Sequence, residues 1–431
     1  MSTPAPAAVA DDAHVQALLQ AAERAAGAHQ DAEAERLIAA AHQVAPEHAQ
    51  VLAARGVQAL RKGDAAQARE LLEAAAAREP GNPHVFLNLA SCHRSLNEPE
   101  AEFKALEQAL ILEPNFFLAL LQKASLQEKL GNGREAARTY HRALSTLRAG
   151  MQLPANLQPF VEHAQKVVLA SFEELDRWLK ERTAAVRARF AGVPQDRVDD
   201  CLAALVGKKR IYVSQPTYSY FPRVPAITFF DRTQFPWLKR VEEATDEIRA
   251  ELFGLLREAR GEFAPYLTHS PGEQLGVWRE LNQSRRWSAL FLYKNGEPQA
   301  ENIARCPKTV AVLESVPAAV RIAHRGPTWL FSLLEPKTRI PPHTGTTNTR
   351  LTVHIPLIVP PNCGFRVGAD VRQWVPGTAL IFDDTIEHEA WNESDQERVI
   401  LMFDIWNPLL NPAEQEMMRV ATEAIAEFYQ D

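Results

Sequence analysis

Cysteine is scarce in this chain. Cys92, Cys201, Cys306 and Cys363 are far apart and form no CxxC pair, which excludes a disulfide framework and a thiolate zinc knuckle. They read as reduced thiols, mostly buried. Positive charge is not in excess either: 47 Lys and Arg stand against 54 Asp and Glu, for a net charge of -7. No general positive field is available to hold a phosphate backbone, so nucleic acid is not an expected partner. Long apolar runs are missing. The longest, such as 350–360 and 365–380, are broken by charges, Gly or Pro, short of the roughly 18 residues that span a bilayer. No membrane segment is expected. The opening MSTPAPAAVADDAHV lacks the basic start and apolar core of a secretory signal, and Asp11 and Asp12 argue against a transit peptide. The expected compartment is the cytoplasm.

What is present suffices for more than one core. The 431 residues, 46% hydrophobic and 23% charged, have ordinary globular composition and about three times the usual single-domain length. From about residue 15 to 150 the sequence repeats with a period of 34. Pro46, Pro80 and Pro114 follow that spacing, as do Ala41, Ala75, Ala109 and Ala143, and the small residues Ala22, Gly56, Ala90 and Ala124. Each unit reads as two amphipathic helices. The small residue sits where they cross closely, the Ala packs the second helix, and the Pro ends it. Gly63, Asn97 and Gly131 mark the turns between helices. This pattern resembles the tetratricopeptide repeat. The resemblance implies an all-α solenoid over 15–150 whose concave face holds a peptide or a neighbouring protein; the plainer alternative is a spacer or dimerisation module.

Residues 151–208 carry apolar positions at helical spacing, with a break at Pro154, and read as a helical connector. Near Arg210 the pattern changes to short β-branched and aromatic runs, and a second domain is expected over 209–431. Trp287–Tyr293, Thr328–Leu334, Arg350–Val359, Thr378–Phe382 and Arg398–Ile405 read as strands. Amphipathic helices at Asp246–Ala259 and Pro412–Phe428 bracket them. That order points to an antiparallel sandwich or jelly roll covered on one side by helices.

Three of the five histidines after residue 210 lie in the strand-rich stretch: His343, His354 and His388. His343 follows Pro341 and Pro342 at what reads as a strand entrance, and His388 follows the strand TALIF and its acidic turn. Imidazoles from two strands of a small β barrel can face one interior and suit iron, zinc or copper. A lone His is more often structural. The pair gains meaning from Arg398, ten residues after His388, which alternates with Ile400 and Met402 on one strand face. An inward guanidinium in an apolar strand demands an anionic partner, such as a dicarboxylic acid.

A distal His followed ten residues later by an Arg is the arrangement of ferrous, 2-oxoglutarate-dependent oxygenases built on a double-stranded β-helix. More closely, FSLLEPKTRIPPHTGTTNTRLTVHIPL and GFRVGADVRQWVPGTALIFDDTIEHEAWNESDQERVILMFDIWNP resemble the aspartyl/asparaginyl β-hydroxylase family, as do FDRTQFPW and RCPKTVAVLESVP. The resemblance implies a multidomain protein in which the solenoid is followed by a double-stranded β-helix, or jelly roll, with flanking helices. It implies that His343 and His388 bind Fe(II), and that Arg398 pairs with the distal carboxylate of the co-substrate 2-oxoglutarate. It gives Ser332 and His354 the remaining co-substrate contacts. The implied reaction is hydroxylation of an unactivated carbon, first of all the β-carbon of an Asp or Asn in a peptide or protein.

Two positions depart from pattern. The common facial triad has a carboxylate two residues after the first His, where this chain has Gly345. Members of the family with Gly there let water fill that position; Asp383 or Asp384 is the acid that can orient a ligand or that water. Family members also carry an Arg two residues before the third His, where this chain has Thr352, with Arg350 on the same strand face as a substitute. Three rival functions follow. Relatives hydroxylate lipid acyl chains; the repeats suit an adaptor without catalysis, against which the retained His343, His388 and Arg398 argue; zinc hydrolysis lacks a general-base Glu and a third ligand.

Overall fold

The computed structural model describes residues 6–148, 150–270 and 275–429. The chain divides into two compact units between Val206 and Gly207. The first is wholly helical among its described residues: α1 (Pro6–Gly27), α2 (Asp31–Val44), α3 (Ala49–Arg61), α4 (Ala65–Arg78), α5 (Pro83–Ser95), α6 (Pro99–Leu112), α7 (Phe117–Lys129) and α8 (Gly133–Ser145) form four successive pairs. The periodic residues act as their spacing predicts. Ala41, Ala75, Ala109 and Ala143 are all fully buried. Gly56 marks the closest crossing, since a Cβ there would stand 2.6 Å from Leu72 Cγ. The turns need left-handed backbone: φ is 85° at Gly63, 58° at Asn97 and 81° at Gly131. The equivalent turn of the first unit uses His29, also at 58°.

Two more helices follow, α9 (Gln158–Arg189) and α10 (Asp196–Leu205). Pro154 is the last residue before the short turn that leads into α9. The first turns of α9 bury Val161, Ala164 and Val168. Ala164 and Val168 share a core with Leu120, Tyr140 and Ala143, closing the apolar end that a stacked array leaves open.

The second unit is β-rich and antiparallel, as the alternating pattern predicts. Its strands are β1 (Ala264–Pro265), β2 (Trp287–Lys294), β3 (Glu297–Pro298), β4 (Trp329–Leu334), β5 (Thr338–His343), β6 (Arg350–Ile358), β7 (Cys363–Val367), β8 (Asp370–Arg372), β9 (Leu380–Phe382), β10 (His388–Asn392) and β11 (Arg398–Trp406). A large sheet runs β1-β2-β4-β11-β6-β9, with β3 beside β2, and a small sheet runs β5-β10-β7-β8. Helices α11 (Leu238–Glu243), α12 (Thr245–Glu258), α13 (Ala300–Arg305), α14 (Pro307–Glu314) and α15 (Pro412–Phe428) complete the unit.

Period-two alternation sorts the large sheet into two faces. One set, including Phe331, Leu333, Val353, Ile355, Val399 and Leu401, packs with Ile248, Leu252 and Leu255 of α12 and Leu313 of α14. The other set, Trp287, Leu334, Leu380 and Phe382, shares a core with Ile340, Phe365, Val367 and Ala390 of the small sheet. Each such side chain contributes about 1.5–3 kcal/mol on burial.

Two local expectations are corrected. His343 ends a strand; β5 runs through Pro341 and Pro342. It tolerates them because it is an edge strand of the small sheet, where one row of backbone donors is not needed. The aromatic segment after Arg210 forms no strand of its own until Ala264; its pairings are isolated bridges such as Phe229 with Phe382.

Candidate active site

The two iron-ligand candidates come from adjacent strands of the small sheet. β10 pairs with β5 so that His388 lies directly opposite His343, with a register shift just beyond it, between His388 and Ala390. Opposed residues share a sheet face, and the two ring centroids are 4.0 Å apart. Each ring is held from behind. His343 Nδ1 is 2.8 Å from the Pro341 carbonyl and His388 Nδ1 is 3.0 Å from the Ile386 carbonyl. A carbonyl oxygen only accepts, so each Nδ1 carries its proton and each Nε2 keeps a lone pair. Burial reinforces neutrality. It pulls the His343 imidazole below its ordinary range, against the Pro341 hydrogen bond, and pulls His388 well below, with the neighbouring His343 adding to the effect. Neutral imidazoles with fixed tautomers are what a divalent metal needs. Among the described residues, no group of three or more His, Cys, Asp or Glu is arranged to hold a metal ion.

The large sheet brings the other three residues to the facing wall. Ser332 of β4 is opposite Ile400 of β11, and His354 of β6 is opposite Met402. With Arg398 two residues before Ile400, all three point to one side. Arg398 is 1% exposed, its Nε and Nη1 have no hydrogen-bond partner, and its guanidinium lies 4.8 Å from the Trp374 ring. Burial pulls its pKa down to about 10. His354 is 5% exposed with both ring nitrogens unpartnered, held well below its ordinary pKa by burial and by the nearby Arg398. Ser332 Oγ accepts from Trp287 Nε1 at 3.2 Å and keeps its own proton to donate. Buried donors without partners are costly, and a ligand anion removes that cost. Ser332, His343, His354, His388 and Arg398 all line one cavity of about 370 Å³.

The two departures acquire a geometry. Gly345 is required by Asp384: a Cβ at residue 345 would stand 2.2 Å from the Asp384 carboxyl carbon. Asp384 thus fills the space where the missing carboxylate would begin. Asp383 is committed elsewhere, accepting from Thr385 N and Oγ1 and from Ser214 Oγ. Asp384 Oδ1 has no partner, and burial raises its pKa to about 7 against the pull of Arg350. The expectation that Arg350 replaces the absent Arg at Thr352 meets an obstacle. Arg350 Nη1 donates to Asp404 Oδ2 at 2.8 Å and Nη2 donates to Thr346 Oγ1 at 2.9 Å. That guanidinium is already neutralised.

Sequence reasoning passed over Asp404, Trp287 and Tyr266. Asp404 carried the same signal as Arg398, a charge on an apolar strand six residues further along, hence on the same face. Trp287 and Tyr266, stacked at 4.1 Å, carried no signal distinguishing them from core aromatics.

Comparison with known proteins agrees with this architecture. Residues 242–408 match the family model described as aspartyl/asparaginyl beta-hydroxylase, and residues 59–101 match a tetratricopeptide repeat. An ornithine lipid ester-linked acyl 2-hydroxylase of Rhizobium tropici is 36% identical over 187 residues, which are 43% of this chain and 62% of its own. The aspartyl/asparaginyl beta-hydroxylase of Homo sapiens is 31% identical over 182 residues, 42% of this chain and 22% of its own. The chain therefore spans less than two thirds of the length of either relative. Among solved structures, that of MamA protein matches with 15% identity and a TM-score of 0.31 over 41% of this chain and 95% of its own. The β-rich unit of this chain is thus similar to the aspartyl/asparaginyl β-hydroxylase family, and the helices before it include a match to the tetratricopeptide repeat.

Proposed function

We propose that this chain is an Fe(II)- and 2-oxoglutarate-dependent dioxygenase that hydroxylates an unactivated carbon. One observation carries the reading: a pair of imidazoles, each tied to a backbone carbonyl through Nδ1, faces across one cavity a fully buried arginine with unpartnered donors. When bound, iron and the keto acid would activate dioxygen, the oxidant, one of whose oxygen atoms goes to the substrate carbon and the other to succinate as carbon dioxide leaves. The protein's own residues bind and orient. His343 and His388 hold the metal through Nε2; Arg398 takes the distal carboxylate of 2-oxoglutarate, with Ser332 and His354 donating to its oxygens. Trp287, Phe365 and Phe382 wall the cavity with apolar surface that keeps bulk water from the reacting carbon. The two antiparallel sheets with a shared interior support a double-stranded β-helix.

The expected substrate is the β-carbon of a peptidyl Asp or Asn. A second substrate class, an acyl chain, is favoured by a specific observation: Thr352 is uncharged and the charge of Arg350 is already balanced by Asp404. The relative named for acyl hydroxylation, at 36% identity, supports the same side. Among the described residues no helix is long and apolar enough to cross a membrane.

For the helical unit the reading is recruitment of a protein partner. A groove of about 850 Å³ runs along α1, α3 and α5 and is rich in amide side chains, among them Gln16, Gln50, Asn82 and Asn88. Amides both donate and accept, which suits an extended peptide backbone. The test of function is anaerobic loading with Fe(II) and 2-oxoglutarate, then admission of dioxygen with peptide and acyl-lipid libraries, read by mass spectrometry. A gain of one oxygen on a substrate, coupled to succinate formation, supports the reading; loading with no succinate release after dioxygen is admitted refutes it.

A further inference from the structure

The part of the cavity beyond the co-substrate residues has a charge pattern of its own. Asp384, Asp404 and Arg350 line it together with Thr346 and Thr352. Arg350 is bound to Asp404 at 2.8 Å. The Thr352 hydroxyl serves both acids, lying 3.4 Å from Asp404 Oδ1 and also hydrogen-bonding the Asp384 side chain. Two acids share one guanidinium, which is bonded to Asp404, and Asp384 Oδ1 is left as a buried oxygen without a hydrogen-bond partner. Aromatic side chains line the same cavity. Tyr266 is stacked on Trp287 at 4.1 Å, and Trp278 meets the edge of His343 at 4.7 Å. A carboxylate beside aromatic faces is a recognised receptor for ammonium groups. It repels a carboxylate.

We infer that the substrate presents an ammonium group to this wall, with Asp384 as its acceptor and Asp404 as the specificity-determining residue that withholds Arg350 from anionic substrates. The inference rests on the cavity being a substrate site, as argued above. The ammonium belongs either to a basic side chain in a peptide or to an amine-bearing lipid, and the chemistry is the same for both.

The experiment measures ligand charge preference in the full-length protein by calorimetry at pH 8. One arm uses three acetylated, amidated tripeptides that differ only in a central lysyl, glutaminyl or glutamyl residue. The other uses dodecylammonium, dodecanamide and dodecanoate below their micellar concentrations. Both are run anaerobically with Fe(II) and 2-oxoglutarate, and again on metal-free protein. In at least one arm the cation is expected to bind about tenfold or more tightly than the anion, and the arm that responds identifies the source. Asp384→Asn should abolish the preference. Asp404→Asn, which frees Arg350, should raise anion affinity about tenfold. Equal or better binding of the anion in both arms, no measurable cation binding in either, or a preference untouched by both substitutions overturns the inference. The metal-free titrations keep this failure separate from failure of the oxygenase reading, because the preference belongs to Asp384 and Asp404 and persists whether or not iron and 2-oxoglutarate bind.

Discussion

Replacing Arg398 by Met should make the ligand-free protein more stable and the co-substrate weaker, two effects of opposite sign from one side chain. Arg398 is 1% exposed and two of its nitrogens lack partners. Its pKa falls from 12.5 to about 10 through burial, which corresponds to about 3 kcal/mol of disfavour toward the charged form. Met fills a similar volume and removes that cost. It also removes the contact with the Trp374 ring, worth roughly 0.5–2 kcal/mol, so the net gain should be about 1–2 kcal/mol. Binding moves the other way. Removing one partner of a buried charge pair costs about 2–5 kcal/mol, at least tenfold in the 2-oxoglutarate dissociation constant. Denaturant unfolding of the metal-free proteins measures the first effect, and anaerobic calorimetry with Fe(II) measures the second. A variant that is less stable without ligand, yet binds 2-oxoglutarate as tightly as the parent, would refute the assignment of Arg398 as an anion site.

Gly345→Asp, which restores the usual triad residue in sequence, should fail alone, because its Cβ would stand 2.2 Å from the Asp384 carboxyl; only Gly345→Asp with Asp384→Ala should fold and hold iron more tightly, as read by unfolding midpoint and metal retention. His354 gives a pH signature: its folded-state pKa is held well below 6.5, so below pH ~6.5 the unfolded chain takes up a proton that the folded one refuses. Its contribution therefore lowers stability as pH falls, by about 1.4 kcal/mol per pH unit, and His354→Gln should flatten the acid limb of metal-free stability by that slope. In the helical unit, Gly56→Val should cost about 1–3 kcal/mol by overpacking against Leu72, while an unchanged melting temperature would mean that the α3–α4 crossing is looser than described.

The parts of this protein that were legible in its sequence are those with a long-range rhythm. Ala41, Ala75, Ala109 and Ala143 announced the array because each unit repeats one packing problem, and all four are fully buried. Arg398 announced the cavity because a charge has no other business on an inward strand face. The small sheet was harder to see. β7 and β10 have five residues each and β8 has three, too short to display an alternation, and β5 carries two prolines that argue against a strand anywhere except at an edge. What no local pattern reveals is the fit between Gly345 and Asp384, 39 positions apart in sequence and joined by the backbone hydrogen bond from Gly345 N to Asp384 O at 2.6 Å. A missing carboxylate at residue 345 reads as a loss until the fold shows that a side chain there would collide with Asp384. Likewise Arg350 looks free along its strand, and only the pairing of β6 with β11 sets Asp404 beside it.

The central claim, a two-imidazole iron site completed by 2-oxoglutarate, is tested most directly by anaerobic titration of the full-length protein with Fe(II), with and without the keto acid, in the parent and in His388→Ala. One Fe(II) per chain is expected, retained against a chelator at least about tenfold better when 2-oxoglutarate is present, and lost with His388. Iron that binds equally well without 2-oxoglutarate, or that survives the loss of His388, contradicts it.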